Sequence, residues 1–105
     1  MAQFSVYLNI NPNSCDAYPY LMDVQNDLLD TLGTRVVIPI ARHSRLINTP
    51  IERLTPILPI EEAPHVLLTP QLAAIPATEL GDFVVDLSEL RTSIIGSLDF
   101  LYTGY

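Results

Sequence analysis

Proline spacing is the feature of this sequence that most restricts its fold. The chain has 105 residues and nine prolines, seven of which fall between positions 39 and 76. Proline fixes φ and lacks a backbone N–H donor, so a long helix cannot continue through that segment. The middle of the chain is therefore predicted to form short strands and turns.

Apolar periodicity places the expected strands. Phe4, Val6 and Leu8 alternate with less apolar residues, which predicts a first strand with one buried face. Tyr20–Val24 and Arg35–Ile40 are the next two expected strands, and the proline at position 39 implies an edge or a bulge in the second. Three further strands are expected over residues 54–60, 65–69 and 73–76, and the last of these is predicted to be the final strand.

The C-terminal part is predicted to be a helix from Leu87 to Tyr102, a stretch without proline. Asp86 and Glu89 resemble a capping box at its start. Gly104 is expected to end the helix, and Gly96 inside it suggests close packing against another backbone. Apolar residues recur at helical spacing along one face, at Leu87, Leu90, Ile94, Leu98 and Leu101.

Charge and cysteine content separate the possible partner classes. The formal net charge is −7, and all five cations are arginines. Nucleic-acid affinity depends on cations that neutralise phosphates, so we expect a protein partner and no direct binding of nucleic acid. The single Cys15 excludes an intrachain disulfide and fits a reducing cytoplasm. No apolar run reaches the roughly 20 residues of a membrane span, so a cytoplasmic protein away from membranes is expected.

The titratable residues form no recognisable catalytic pattern. Asp23, Asp27 and Asp30 could ligate a metal, but carboxylates at this spacing more often cap turns or pair with arginine. His43 and His65 lack ligand-like spacing and are expected on the surface or in loops. We therefore expect no metal and no cofactor.

Four segments together resemble one protein family. Met22–Thr31 is similar to the VDVQSDIIDT segment of CcdB toxins, and Arg35–Ile40 is similar to their R-x-VIPL strand. Ala73–Pro76 resembles their ASVP segment, and Val85–Ser88 resembles their ADLS helix start. The order and spacing of these segments and the total length agree with the CcdB family, and the resemblance covers nearly the whole chain.

The resemblance implies a fold and a function. The fold is mainly β, an SH3-like barrel of antiparallel strands with a small extra sheet and a C-terminal α-helix, in one domain over residues 1–105. The family forms homodimers. The implied function is that of a non-enzymatic toxin of a type II toxin–antitoxin system. Such a toxin binds the DNA gyrase A subunit, traps the cleaved gyrase–DNA complex and blocks replication. A cognate CcdA-like antitoxin neutralises it, and the pair usually represses its own operon.

Contact residues are also implied by the resemblance. From the residues alone, Leu28 and Leu29 are more simply explained as core, and Tyr102 could pack on the barrel. The gyrase-binding positions lie in the turn after the DVQ motif and at the end of the last helix, at Leu28, Leu29, Asp99, Tyr102, Thr103, Gly104 and Tyr105.

The antitoxin-binding positions are expected at Arg42, His43 and Arg45, together with the long loop after the first strand. At the chain end, the plasmid-borne pattern Trp-Gly-Ile is replaced by Thr103, a glycine and a tyrosine. Threonine cannot stack on a gyrase arginine, a contact worth about 0.5–2 kcal/mol. Either a tyrosine takes over part of that contact, or binding is weaker, or activity is lost. Asp99 stands where the family has an asparagine.

Two other functions remain open from the sequence. An mRNA interferase of the same fold would need acid–base and cationic residues, for which Asp23, Arg35 and His43 are candidates. A non-toxic relative would keep antitoxin binding and repression only, and the threonine at position 103 is its main support.

Overall fold

Seven antiparallel strands and one terminal helix make up the part of the chain that the computed structural model describes, residues 2–46 and 52–104. Short 3-10 turns connect several of them. The elements are β1 Ser5–Asn9, β2 Tyr20–Asp23, β3 Thr34–Arg42, β4 Ile57–Ile60, β5 Ala63–Leu67, β6 Ala73–Pro76, β7 Leu80–Asp86 and α1 Arg91–Thr103.

The strands form one curled sheet in the order β4-β5-β3-β2-β1-β7, and β6 pairs with the first half of β3. Along β3, Thr34–Val37 pairs with β6 and Ile40–Arg42 pairs with β5. Pro39 lies between these two partners, and its carbonyl accepts the N–H of Leu68 at 2.9 Å. A missing donor is tolerated at such a break. The curled antiparallel sheet with a C-terminal helix confirms the predicted mainly β fold and is consistent with an SH3-like barrel.

The core lies between the concave face of the sheet and α1. Ile94 of α1 is fully buried, and Leu90 and Leu98 pack beside it, so the predicted apolar face of the helix is confirmed. The buried cluster contains Phe4, Val6, Tyr20, Met22, Ile38, Ile40, Leu58, Ile60, Leu67, Leu87 and Ile94.

Burial on β1 differs from the prediction. Ser5, Tyr7 and Asn9 are buried, whereas Leu8 is 39% exposed. The prediction of a single buried face is therefore wrong. The physical reason is that the second face is also covered: the Asn9 side-chain amide donates to the carbonyl of Tyr18 at 2.8 Å, in the loop that follows the strand.

β7 was not predicted, so Ala73–Pro76 is not the final strand. Asp86 lies opposite Ser5 at the end of β7, and its carboxylate accepts the N–H of Ser88 at 2.8 Å. The expected capping box is therefore absent. A 3-10 turn, Ser88–Leu90, precedes α1, which begins four residues later than predicted, at Arg91.

The hairpin of β4 and β5 confirms the predicted strand pair, although β4 is shorter than predicted and β5 begins two residues earlier. Glu61 and Glu62 form its turn with φ values of 52° and 66°. His65 was expected on the surface, but it is only 4% exposed because β5 is held between β3 and β4. Its Nδ1 donates to the carbonyl of Ala63 at 2.9 Å.

The two glycines of the helix behave differently. Gly104 has φ 79°, and its N–H donates to the carbonyl of Phe100 at 2.9 Å, which confirms it as the helix end. At Gly96 a Cβ would meet nothing within 4 Å among the described residues outside its own helix turn. The prediction that Gly96 packs closely against another backbone is therefore wrong among the described residues of this chain.

Candidate functional site

A buried guanidinium organises the segment that follows β2. Arg35 is 2% exposed. Its Nε donates to Oδ2 of Asp23 at 2.8 Å, and its Nη2 donates to the Gln25 carbonyl at 3.3 Å. Its Nη1 pairs with Asp30, and Oδ1 of Asp27 lies 3.9 Å from Nη2. The prediction that these carboxylates pair with arginine is confirmed.

Burial sets the electrostatics of this cluster. Asp23 has no exposed surface. Burial raises its pKa, although the hydrogen bonds from Arg35 and from the Gln25 N–H oppose that rise. Burial tends to lower the pKa of Arg35, but the hydrogen bond and charge of Asp23, together with Asp30, raise it overall. Removing one partner from a buried pair leaves an uncompensated charge, at a cost of about 3–5 kcal/mol.

The same cluster holds a 3-10 turn, Asp27–Leu29, in place. Gln25 Oε1 accepts the N–H of Val36 at 3.0 Å, while its Nε2 donates to the carbonyl of Leu29 at 3.1 Å. Asn26 caps the turn, because its Oδ1 accepts the N–H of Leu28 at 2.8 Å. The turn is therefore fixed to β3 by side-chain hydrogen bonds.

This fixed turn displays apolar side chains to solvent. Leu28 is 88% exposed, Leu29 is 48% exposed and Leu32 is 51% exposed. The expectation that Leu28 and Leu29 are core residues is wrong. We call Leu28, Leu29 and Leu32 the leucine turn. Clustered exposed apolar side chains of this kind mark interaction surfaces.

The end of α1 presents a second exposed group. Tyr102 is 79% exposed and does not pack on the barrel. Thr103 and Asp99 are also exposed, and the Thr103 hydroxyl donates to the Asp99 carbonyl at 2.7 Å. Gly104 ends the helix, and Tyr105 lies outside the described residues.

The leucine turn and the helix end lie on separate elements. The guanidinium of Arg91, at the start of α1, lies 5.6 Å from the ring centre of Phe4. Phe4 donates its N–H to the carbonyl of Asp23 at 2.6 Å, next to the leucine turn. Thr103 lies at the other end of this helix, roughly 18 Å along its axis from Arg91. The predicted gyrase contacts are therefore carried by two separate elements.

The predicted antitoxin residues form a third group with the loop after β1. Nη1 of Arg42 donates to the carbonyl of Asp16, and Nη2 of Arg45 pairs with the Asp16 carboxylate, both at 3.4 Å. His43 lies between these arginines and is exposed. A cavity of about 300 Å³ separates Arg45 from Tyr18 of the loop. The two segments proposed for the antitoxin are therefore neighbours in the fold.

The comparison with known families decides the relationship. The family model described as CcdB protein matches residues 3–104. The chain belongs to the CcdB family. CcdB proteins are toxins of toxin–antitoxin modules, so this chain is a toxin of that class.

Within the CcdB family pattern, sequence reasoning missed Gln25 and Leu32. Gln25 is 7% exposed, and its amide links the turn to β3. A polar side chain between a strand and a predicted turn could have indicated such a bridge. Leu32 precedes Gly33 and is 51% exposed.

The three residues proposed for an interferase do not come together at one site in this CcdB fold. Asp23 and Arg35 are buried against each other, while His43 is exposed beyond the end of β3. Eight residues of extended chain separate His43 from Arg35, which is roughly 26 Å. The described residues contain no group of three metal-ligating side chains. No described helix is long and apolar enough to cross a membrane.

Proposed function

We propose that this chain is a gyrase-poisoning toxin that acts as a single CcdB-like domain over residues 1–105. As a homodimer in the cytoplasm, it binds the DNA gyrase A subunit, traps the cleaved gyrase–DNA complex and blocks replication. It acts by binding and has no catalytic residue. Membership of the CcdB family supports the toxin class. The observation that carries the proposal is the leucine turn, where Leu28 is 88% exposed on a turn anchored to Arg35.

The energetics favour the leucine turn as an anchor. Complete burial of a leucine side chain is worth about 1.5–3 kcal/mol. Because the turn is already held by side-chain hydrogen bonds, little conformational entropy is lost when a partner covers it. A homodimer presents each anchor twice about its two-fold axis, which suits a symmetric target.

Tyr102 is the aromatic candidate at the helix end. The Thr103 hydroxyl is already bonded within the helix, whereas Tyr102 is 79% exposed. We propose that Tyr102 stacks on a gyrase arginine in place of the family tryptophan, and that Asp99, Gly104 and Tyr105 also contact gyrase. An aromatic–arginine contact contributes about 0.5–2 kcal/mol.

The antitoxin is proposed to bind the group formed by Arg42, His43 and Arg45. These side chains are exposed and lie beside the loop after β1. A disordered antitoxin segment that folds onto this surface would neutralise the toxin. The complex would repress its own operon.

A gyrase cleavage assay tests the proposal. Supercoiled plasmid, gyrase and this protein should give linear DNA after detergent and protease treatment. Leu28→Ala and Tyr102→Ala should weaken trapping, the first by at least about tenfold. Ile57→Ala is the matched control, because Ile57 is 41% exposed on β4 and belongs to neither group. It should trap cleaved DNA as well as the natural chain does.

Different results would overturn the proposal. Cleavage of labelled RNA without any effect on gyrase would identify an interferase. Binding to the antitoxin without trapped DNA would identify a non-toxic co-repressor. If Ile57→Ala weakened trapping of cleaved DNA as much as Leu28→Ala does, trapping would not depend on the leucine turn.

A further inference from the structure

The outer edge of β7 is an open position in the sheet. Among the described residues, Leu80–Asp86 pairs with β1 alone and is the last strand on its side. Such an edge presents unpaired N–H and C=O groups that can accept another strand. β7 spans seven residues despite two register shifts against β1. It contains no proline, which would remove a main-chain donor from the edge.

The opposite edge of the sheet is built differently. β4 has only four residues, Ile57–Ile60, with Pro59 inside the strand and Pro56 directly before it. A short strand interrupted by proline is a poor template for strand addition. The fold therefore protects the β4 edge and leaves the β7 edge able to pair.

The β7 edge is acidic. Between His65 and Arg91 the sequence has no cationic residue, and neighbouring β1 carries no charge. The exposed carboxylates of this segment are Glu79, Asp82, Asp86 and Glu89. An added strand that carries cations would meet complementary charge along the whole edge.

Exposed apolar side chains accompany the acidic groups. Phe83 is 59% exposed in the middle of β7, and its ring centre lies 6.0 Å from that of Tyr7 in an edge-on arrangement. Leu8 and Ile10, at the end of the paired β1, are 39% and 56% exposed. An added strand could therefore bury apolar surface as well as form main-chain hydrogen bonds.

We propose that the β7 edge docks an extended peptide segment of a protein partner, one that alternates lysine or arginine with apolar residues. The segment adds to the sheet as a further strand. Main-chain hydrogen bonds hold it, Phe83 contacts its apolar side chains, and Glu79 and Asp82 select its cations. This surface is separate from the leucine turn and from the helix end, so it does not depend on gyrase binding.

The same charges act against pairing between two copies of this chain. If two β7 strands paired antiparallel, Glu79, Asp82 and Asp86 of one copy would approach those of the other. Like charges across paired strands are destabilising. The β7 edge therefore favours pairing with a cationic strand and disfavours pairing with the β7 edge of a second copy.

The test uses the full chain and a defined probe. A labelled octapeptide of alternating lysine and valine is titrated at low salt, with anisotropy as the readout, while NMR follows the β7 amides. The natural chain should bind, and the amides of Leu80–Asp86 should shift and become protected from exchange. A peptide of equal charge with prolines in place of valines should bind much less, because it lacks half of the main-chain donors.

Three variants locate the binding. Glu79→Lys combined with Asp82→Lys should weaken the lysine–valine peptide by about fivefold or more, and Phe83→Ala should also weaken it. Glu62→Lys reverses one charge, half the change of the double variant, in the β4–β5 turn and should have little effect. Circular dichroism confirms that each variant is folded.

Two results would overturn the inference. Equal binding of the two peptides, or equal weakening by Glu62→Lys, would mean non-specific charge attraction. Protection of the β7 amides that grows with protein concentration, without peptide, would mean that a second copy occupies the edge.

Discussion

Arg35 brings a guanidinium into the interior, and the spacing of the acidic motif follows from its geometry. Asp23 ends β2 and Asp30 follows the 3-10 turn, so both carboxylates return to the same guanidinium. Gln25 supplies a carbonyl acceptor and bridges the turn to β3. At the residue scale, the motif is therefore an anchor, and the exposed Leu28 is the side chain that it presents.

Arg35→Met should destabilise the chain by about 3–5 kcal/mol, because Asp23 would remain buried without its partner. Urea unfolding measures the loss. The double variant with Asp23→Asn should lose less than the sum of the two single variants, since neither charge then remains. Arg45→Met, which breaks an exposed pair with Asp16, should cost less than about 1 kcal/mol. Strict additivity of the first two changes would contradict a coupled pair.

The raised pKa of Asp23 predicts a particular pH dependence. At pH values between the ordinary pKa of 3.8 and the raised pKa of the folded state, the folded chain holds a proton that the unfolded chain has released. The free energy of unfolding therefore falls as the pH rises through this interval. Asp23→Asn lacks this effect. The free energy of unfolding of the natural chain minus that of the variant should therefore increase as the pH is lowered from 7 to 4.

The comparison isolates Asp23, because the variant differs from the natural chain at that carboxylate alone. The pKa of Arg35 is raised, so its contribution is fully present below the ordinary arginine pKa and does not change in this range. A difference that shrinks on acidification would place the folded-state pKa of Asp23 below its ordinary value.

At the element scale, local patterns predicted β3, the β4–β5 hairpin and α1. Pro59 and Pro64 bracket the hairpin turn and face each other across it. The pattern that predicts the hairpin therefore lies within a few consecutive residues. Ile94 lies on an apolar face with helical spacing, which a short window of sequence also contains.

β7 could not be predicted in the same way. Leu80–Asp86 has no fully buried residue and includes Gly81, so it lacks the alternation of a half-buried strand. Its partner is β1, more than 70 residues earlier in the chain, and only tertiary pairing defines it. The exposure of Leu28 was missed for a related reason. Its hydrophobicity predicts burial, and only the fold shows that its polar neighbours occupy the inner side of the turn.

Two glycines on different elements give opposite predictions. Gly96→Ala in α1 should stabilise the chain by about 1 kcal/mol, because alanine favours helix and its Cβ meets nothing within 4 Å. Gly81→Ala in β7 should destabilise it, because its Cβ would lie 2.8 Å from the carbonyl oxygen of Leu8 and 2.7 Å from Cγ2 of Ile10. Thermal and urea unfolding measure both. Destabilisation by Gly96→Ala would show that another chain approaches the helix there.

At the scale of the whole molecule, the three proposed partners use surfaces on different elements. The leucine turn and Tyr102 are the proposed gyrase contacts, Arg42–Arg45 is the proposed antitoxin surface, and the β7 edge is an open strand position. Because they are carried by separate elements, a change at one can leave the others intact. This separation makes the proposed activities distinguishable by mutation.

Deletion of residues 103–105 tests this separation most directly. It removes Thr103, the helix end at Gly104, and Tyr105, while the buried Ile94 lies nine residues earlier and remains packed. The fold should survive with a small drop in melting temperature, about 4–8 °C for each kcal/mol lost. Expression in a sensitive host should no longer kill cells or accumulate trapped gyrase–DNA complexes. Capture by the antitoxin should persist, because Arg42 and Arg45 lie at the end of β3. A truncated chain that still kills, with Leu28 and Tyr102 intact, would show that residues 103–105 are not part of the gyrase site.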